Sequence, residues 1–252
     1  GVAAGRGRYI SFLDADDIWL PERLGVFVEV ARQFPEAGMI YGPTLYWYSW
    51  AGDGDTYLGE QDQPGDMQLP VRELIPPPVA LRQFITTAGG CLPGICSLLV
   101  RRDAYDAVGG FEPSFRGLYE DQVFLSKMTA NHPVVVIAEV LDHYRQHAAS
   151  CCSQALTTGE YDPVGYRPAR STYLRWLRAY LRTIGLDDAV LDRAVARQLR
   201  PYRVPGYIPV DRQIRRLWNG ATRRIRAATP GVVLRQWWRL SAWRHARRAG
   251  RT

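Results

Sequence analysis

A short apolar run followed at once by three carboxylates is the feature that most constrains the fold. Residues 9–13 have the composition of a buried strand, and Asp14, Asp16 and Asp17 follow directly. A helix over residues 21–34 comes next, opened by a proline. A buried strand that leads through polar residues into a helix is typical of an open α/β sheet, where ligands bind beyond the carboxyl ends of the strands. The sequence therefore predicts an α/β fold with its binding site at these aspartates.

The aspartates predict a metal and diphosphate site. Asp14 and Asp16 form an Asp-x-Asp pair that directs hard oxygen ligands toward one point. Such a pair suits Mg²⁺ or Mn²⁺ that already carries phosphate oxygens. The expected ligand is a nucleotide diphosphate.

Two other interpretations of this segment stay open at this point. Asp16 or Asp17 could instead cap the following helix. Four apolar residues before Asp-x-Asp also resemble the nucleophile motif of haloacid-dehalogenase-type phosphatases. Those enzymes need a later lysine and a further acidic pair, but the chain's one lysine, Lys127, is not closely followed by such a pair. The phosphatase hypothesis is the weaker one.

Two further motifs point to a known family. Residues 109–125 contain a Gly-Gly-Phe loop and then Glu120 and Asp121 at the start of a predicted helix, and residues 144–147 read Tyr-Arg-Gln-His. Together with the Asp-x-Asp strand, these motifs resemble family 2 glycosyltransferases of the GT-A fold in order and approximate spacing. The resemblance covers about residues 1–153.

The resemblance implies roles for the acidic pair. Transfer of a sugar requires a base that takes the proton of the acceptor hydroxyl, and the family assigns this task to the position of Asp121. Glu120 is expected to shape the acceptor pocket or to tune Asp121. The structural alternative is an acidic helix N-terminus that complements the helix dipole.

It also implies a donor site. Asp14, Asp16 and His147 are the expected metal ligands, and Arg145 joins them in binding a nucleotide-diphosphate sugar. The alternative for Arg145 and His147 is an ordinary surface loop. A glycan, a lipid-linked or a small-molecule acceptor is expected, as are inversion at the anomeric carbon and a role in bacterial surface polysaccharide synthesis.

The first residues resemble the middle of a GT-A domain, just before its Asp-x-Asp strand. The family's preceding strands and its acidic base-binding residue are absent from the sequence, so we expect a GT-A fold that is incomplete at its N-terminus. A longer gene product or a misplaced start would explain this. The chain alone is then expected to be weakly active or inactive.

Composition limits the location and the cysteine chemistry. The chain has 252 residues, of which 46% are hydrophobic, enough for a sizeable core. Neither a membrane span nor a secretory signal is recognisable, which predicts a cytoplasmic protein. The four cysteines lack paired zinc spacing and are expected to be reduced thiols (Cys91, Cys96, Cys151 and Cys152).

Charge divides the chain into two halves. Residues 167–251 contain 21 arginines and four aspartates, a surplus of 17, so with a net charge of +7 the first 166 residues carry about −10. We expect a partial GT-A catalytic domain over 1–156, a linker over 157–168 and an arginine-rich helical extension over 169–252.

The extension predicts a membrane-surface role. Arginines alternate with aromatic residues in its last predicted helix (Trp237, Trp238 and Trp243), which suits the surface of an anionic membrane. The protein would then be peripheral on the cytoplasmic face. A helical appendage packed on the catalytic domain is an equal alternative, and nucleic acid is disfavoured because no RNA-binding module accompanies the arginines. A catalytically silent module that binds membranes or partners is the second functional hypothesis.

Periodicity predicts the remaining elements. Strands are expected over 8–13, 38–48, 95–101 and 133–138, and helices over 21–34, 79–87, 103–108, 120–129, 171–184, 186–199, 214–228 and 232–248. A polar insert over 49–78 is expected on the acceptor side. Nearby aromatic residues could stack on a sugar ring, although core packing is the commoner role (Trp47, Tyr48 and Trp50).

Overall fold

The computed structural model describes residues 1–50, 60–87, 91–161 and 167–203. Residues Gly1–Arg203 form one compact unit, and Val204–Thr252 form a second. The predicted helices over 214–228 and 232–248, with their three tryptophans, lie outside the described residues. The same holds for residues 51–59 of the predicted insert and for 162–166 of the predicted linker.

The described elements follow one another as a mixed α/β chain. The strands are β1 (Tyr9–Ser11), β2 (Ile18–Trp19), β3 (Met39–Tyr41), β4 (Leu45–Trp47), β5 (Gln63–Pro64), β6 (Leu99–Arg101), β7 (Val134–Val136) and β8 (Asp142–Arg145). The helices are α1 (Arg23–Gln33), α2 (Val79–Thr86), α3 (Arg102–Ala107), α4 (Glu120–Asn131), α5 (Cys151–Thr158), α6 (Pro168–Thr183) and α7 (Ala189–Leu199). None of the described helices has the length and apolarity that crossing a membrane requires.

The larger sheet has the strand order β1-β6-β3-β7. β3 runs parallel to β7, and β6 runs antiparallel to both of its neighbours. Alternate residues of β3 enter two different cores, because Met39 and Tyr41 face α2 and α4 whereas Ile40 faces α1. Helices thus cover both faces of the sheet, which explains why all three residues of β3 are apolar and buried. The predicted α/β class is confirmed.

A smaller sheet carries the polar loops. Its order is β2-β8-β4-β5, with β8 parallel to β4 and antiparallel to β2. The single strand predicted over 38–48 is wrong, because the chain leaves one sheet at Gly42 and enters the other at β4. The Ser97 hydroxyl donates to the Gly42 carbonyl at 2.6 Å and accepts from its amide at 3.0 Å. These bonds replace the strand pairing that Pro43 could not continue, since proline has no N–H.

Four described elements were not predicted: the two-residue strands β2 and β5, the strand β8 and the helix α5. β8 lies where sequence analysis placed the residues after the last strand, and α5 lies across the predicted domain boundary. α5 has ordinary end signals, since the Ser150 hydroxyl accepts from the Ser153 amide at 3.2 Å and Gly159 ends the helix with φ +77°. A capping serine in a polar stretch without marked amphipathic periodicity is a weak signal by itself.

The helices α6 and α7 pack on α2 and α4 in the same compact unit. Their apolar faces form one continuous cluster with the outer faces of α2 and α4 (Leu81, Ile85, Val123, Ala130, Tyr173, Leu174, Leu177, Leu181, Leu191, Val195 and Leu199). At the start of α7, Asp188 caps the helix and pairs with Arg82 of α2 at 2.5 Å. The layers therefore run from α1 through the larger sheet to α2 and α4, and then to α6 and α7.

A fully buried arginine joins the two sheets. Arg23, the first residue of α1, is 0% exposed. Its guanidinium donates to the carbonyls of Cys96 at 2.9 Å and Leu98 at 3.2 Å, and forms an ion pair with Asp142 of β8 at 3.8 Å. It also lies over the ring of Trp19, 4.1 Å from the centroid. Arg23 therefore contacts β2, β8 and the segment before β6 together.

We expect Arg23→Met to lower the free energy of unfolding by about 3–5 kcal/mol, because it leaves Asp142 buried without a counter-ion. Adding Asp142→Asn should recover part of this loss. Arg32→Met, at an exposed position of the same helix, should change the free energy by no more than about 0.5 kcal/mol. Urea unfolding followed by circular dichroism measures all three, and equal destabilisation by the Arg23 and Arg32 variants would contradict the role of Arg23.

Candidate active site

The aspartate loop connects β1 to β2 and is held by a distant strand. Within the loop, the Asp17 amide donates to the Asp14 carbonyl at 3.1 Å. The Asp17 carboxylate is buried, and its Oδ1 accepts from the backbone amide of Arg145 at 3.0 Å. α1 begins only at Arg23, with Glu22 as its N-cap and no side-chain cap. The capping interpretation of Asp16 and Asp17 is therefore wrong.

Asp16 and His147 lie together. The Asp16 Oδ2 and the His147 Nε2 are 2.8 Å apart, although 131 residues separate them in the sequence. Both side chains reach solvent, with 41% and 24% exposed. The hydrogen bond to His147 lowers the pKa of Asp16, so this carboxylate is ionised at neutral pH. The structure thus brings together two residues that the family resemblance implied would bind one metal ion.

Arg145 lies beside this pair against two indole rings. Its guanidinium carbon is 4.8 Å from the centroid of Trp50 and 5.4 Å from that of Trp47. The Trp50 indole donates to the Gln146 carbonyl at 2.9 Å, which ties the end of β4 to the end of β8. Stacking on aromatic faces orients the planar guanidinium without using its N–H groups. Those groups remain able to bind an anion near Asp16.

Negative charge accumulates in the loop. Burial and the neighbouring Asp16 raise the pKa of Asp14, and burial raises the pKa of Asp17 to about 6. Grouped carboxylates whose charged forms are disfavoured gain from a nearby cation. Among the described residues, however, no three His, Cys, Asp or Glu side chains are grouped to hold a metal ion by themselves.

The donor set fits a metal that shares its coordination with a ligand. The 2.8 Å between Asp16 Oδ2 and His147 Nε2 is close to the separation of adjacent donors about 2.1 Å from an octahedral ion. Carboxylate oxygen suits Mg²⁺ and Mn²⁺, and imidazole is accepted best by Mn²⁺ of the two. Two protein donors leave room for diphosphate oxygens and water.

The second acidic group lies at the start of α4. Glu120 and Asp121 occupy its first turn, and the Asp121 Oδ1 accepts from the Gln122 amide at 2.7 Å. Asp121 is exposed to solvent, yet protein surrounds its carboxyl group closely enough for burial to raise its pKa to about 6, with Glu120 adding to the rise. The Glu120 Oε2 is buried and has no hydrogen-bond partner among the described residues. A solvent-exposed carboxyl group with a raised pKa suits a general base.

Tyr144 of β8 and Cys152 of α5 connect the two acidic groups. The Tyr144 hydroxyl interacts with the Cys152 thiol, and Asp17 acts electrostatically on the former while Asp121 acts on the latter. Burial, Cys152 and Asp17 raise the pKa of Tyr144, whereas burial and Asp121 raise the pKa of Cys152 against the lowering effect of its hydrogen bond with Tyr144. The aspartate loop and the start of α4 therefore flank the same stretch of surface.

The glycine-rich loop before α4 is fastened by the chain's one lysine. Gly109 and Gly110 have φ values of +70° and +58°, and a Cβ at Gly110 would overlap the Tyr105 ring. The buried Lys127 ammonium group donates to the Gly110 carbonyl at 2.7 Å. Lys127 therefore holds this loop against α4, a role that its sequence context did not indicate.

Three buried polar atoms at the site have no hydrogen-bond partner among the described residues. They are the Asp17 Oδ2, the Glu120 Oε2 and the Arg145 Nε. Buried polar groups are nearly always satisfied in folded proteins, so unsatisfied ones that gather in one region suggest a place for a ligand or ordered water. Sequence analysis singled out Glu120 and Arg145 but gave Asp17 no role beyond capping. The position of Asp17 directly after the Asp-x-Asp pair was the one signal in the sequence that could have indicated a role for it at the site.

Comparisons with known proteins identify a matching family model and two relatives. The model of the family described as Glycosyl transferase family 2 matches residues 1–106. An uncharacterized glycosyltransferase of Nostoc sp. (strain PCC 7120) is 24% identical over 222 residues, covering 87% of this chain and 63% of that protein. One from Haemophilus influenzae is 25% identical over 128 residues, covering 51% of this chain and 38% of that protein. The chain thus spans less than two-thirds of either relative.

Proposed function

We propose, from the family 2 glycosyltransferase domain of the GT-A fold that this chain carries, that the protein transfers a sugar from a nucleotide-diphosphate donor to an acceptor hydroxyl. The observation that most supports this is the contact between Asp16 and His147, which joins two of the family's motifs at the end of β1 and the end of β8. Asp121, which would act as the base, neighbours Cys152, and Cys152 contacts Tyr144, which in turn neighbours Asp17. A glycan, a lipid-linked or a small-molecule acceptor fits this arrangement, in bacterial surface polysaccharide synthesis and with inversion.

Asp16 and His147, aided by Asp14, would hold Mg²⁺ or Mn²⁺ together with the donor diphosphate. The ion would neutralise the charge that develops on the leaving diphosphate. Arg145, oriented by Trp47 and Trp50, would bind the diphosphate from the other side. Asp17 takes no direct part, but its bond to the Arg145 amide keeps the two segments in register.

On the acceptor side, the Asp121 carboxylate would accept the proton of the attacking hydroxyl at its free oxygen. Glu120 stands next to it and favours the protonated state of Asp121 through like-charge repulsion. Its own Oε2 is buried and has no hydrogen-bond partner among the described residues.

Asp16→Ala should weaken the binding of Mn²⁺ together with a nucleoside diphosphate by tenfold or more, because it removes a metal-binding carboxylate that stays ionised. Titration calorimetry with the full chain measures this without turnover. Asp106→Ala removes an exposed carboxylate of α3 and should leave the affinity unchanged. Equal affinities for both variants would contradict the proposed metal site.

Asp121→Asn should keep donor binding and lose transfer by about 10²–10⁴-fold, since it removes the proton acceptor with little change of shape. Near-normal transfer by this variant would exclude Asp121 as the base. Asp106→Asn is the matched control and should transfer at the rate of the wild type.

The pH dependence of transfer provides a separate test. A base acts only when deprotonated, so kcat should rise with pH and reach half its maximum near pH 6, where the raised pKa of Asp121 lies. An unperturbed aspartate would place this midpoint near pH 4. A rate-pH profile between pH 4.5 and 8.5, with unfolding monitored at each pH, distinguishes the two. A profile without a rise near pH 6 would contradict the assignment.

We also propose that the protein lies on the cytoplasmic face of an anionic membrane. α6 and α7 expose several arginines to solvent (Arg175, Arg182, Arg193 and Arg197), and each attracts an anionic surface by about 1 kcal/mol when close to it. This surface could serve a lipid-linked acceptor. The alternative function, a catalytically silent module that binds membranes, requires the same exposed arginines.

Vesicle co-sedimentation tests the membrane proposal. Binding to anionic vesicles should exceed binding to neutral ones. It should also weaken as salt rises, because the Debye length shortens to about 3 Å at 1 M salt. Replacing Trp237, Trp238 and Trp243 with serine should reduce the binding that remains at high salt. Equal binding to both lipid types, or to neither, would contradict the proposal.

A further inference from the structure

The catalytic helix α4 begins from an unusual backbone conformation. Tyr119, the residue before Glu120, has φ +67° and ψ +3°, in the left-handed region that residues with a side chain rarely adopt. Its carbonyl accepts the first helical hydrogen bond of α4, from the Val123 amide at 2.9 Å. Such a conformation costs of order 1–3 kcal/mol and persists only where surrounding contacts impose it. Something must therefore hold Tyr119, two residues before Asp121.

The Tyr161 ring meets the Tyr119 ring edge-on with centroids 5.8 Å apart, and the stacked contact comes from Tyr173 of α6. Its ring stacks on the Tyr119 ring with centroids 5.3 Å apart and planes 19° apart, and both residues are about 95% buried. The Tyr173 hydroxyl lies 2.8 Å from the Ser126 Oγ. The Ser126 hydroxyl in turn donates to the Gln122 carbonyl at 2.7 Å. Tyr173 therefore contacts α4 on both sides of Asp121.

Tyr173 is itself firmly placed. Its neighbours in α6 pack into the apolar cluster shared with α2, α4 and α7 (Leu174, Leu177 and Leu181). α6 lies beyond residues 1–106, where the family model matches, and the sequence analysis treated it only as part of a basic extension. The acidic group at the start of α4 thus depends on a helix to which neither comparison nor motif assigned a role.

We propose that Tyr173 is a positioning residue for the base Asp121, holding the first turn of α4 by stacking on Tyr119 and by its hydroxyl contact with Ser126. The inference rests on the proposed function. α6 then contributes to the active site, because Tyr173 fixes the orientation of Asp121 although it contacts no substrate. Misplacement of a reacting group by about 1 Å can cost about 10²-fold in rate.

α6 offers a matched control at the other end of α4. The Tyr180 hydroxyl accepts from the Asn131 amide group at 2.8 Å, and its ring stacks on Trp176 within α6. Tyr173 and Tyr180 thus each link α6 to α4 through one hydroxyl, near Asp121 in the first case and at the last residue of α4 in the second. A purely structural role predicts similar effects for the two tyrosines.

The experiment compares Tyr173→Phe and Tyr173→Leu with Tyr180→Phe and Tyr180→Leu in the complete gene product, because this chain alone is expected to be weakly active or inactive. We expect Tyr173→Leu to lower kcat by about ten- to a hundredfold with KM for the donor unchanged, and Tyr173→Phe, which keeps the stacking ring, to lower kcat less. Both Tyr180 variants should keep kcat within about twofold. A panel of uridine, guanosine and thymidine diphosphate sugars supplies the donors.

Amide hydrogen exchange at Val123, measured by NMR, gives a second readout that needs no turnover. Exchange should quicken at least tenfold in Tyr173→Leu and stay unchanged in Tyr180→Leu, because only the first variant frees Tyr119. Equal effects of the Tyr173 and Tyr180 variants would overturn the proposal, as would faster exchange in Tyr173→Leu with normal kcat. If the wild type transfers no sugar while Val123 responds as expected, the proposed function fails and the role of Tyr173 in placing α4 stands.

Discussion

One buried cation fixes the geometry on which the candidate site depends. Arg23 has no contact with water, so its charge must be balanced within the protein, and Asp142 provides the balance from the strand that leads to His147. Burial lowers the pKa of Arg23 and raises that of Asp142, and their attraction offsets part of both effects. A hydrophobic pair could contribute similar stability. A charged pair additionally requires one particular position of β8 against the start of α1.

That position determines what the polar loops can do. The aspartate loop precedes α1 and the Arg145–His147 segment follows Asp142, so fixing Arg23 against Asp142 brings the two ends into contact. The Asp17 bond to the Arg145 amide and the Asp16 contact with His147 then close within a few ångströms of each other. A diphosphate with its metal ion needs a short, fixed spacing between cationic and anionic groups. The buried ion pair of Arg23 and Asp142 fixes this spacing without being part of the site itself.

The proposed acceptor side is held by different contacts. Asp121 is placed by backbone conformation and aromatic packing, through the left-handed Tyr119, the stacked Tyr173 and the Lys127 bond to the glycine-rich loop. None of these contacts places a cationic side chain against the Asp121 carboxyl group. Asp121, the proposed base, therefore remains free to change its protonation state, whereas the carboxylate at Asp16 is held ionised by His147. Two acidic groups in one cleft thus have different titration behaviour because their neighbours differ.

The sequence by itself determined the α/β class, the helices of the core and the identity of the acidic residues, since strand and helix periodicity and the order of short motifs are local properties. It did not determine that Asp17 would bind the Arg145 amide rather than cap α1, that the chain would change sheets at Gly42, or that Arg23 and Lys127 would be buried. Nor did it assign Tyr173 to the start of α4. Each of these depends on contacts between segments far apart in the chain, and such contacts follow from strand register and helix packing. Only the tertiary structure sets these, because many sequence-distant pairs satisfy the same local pattern and only the folded core selects among them.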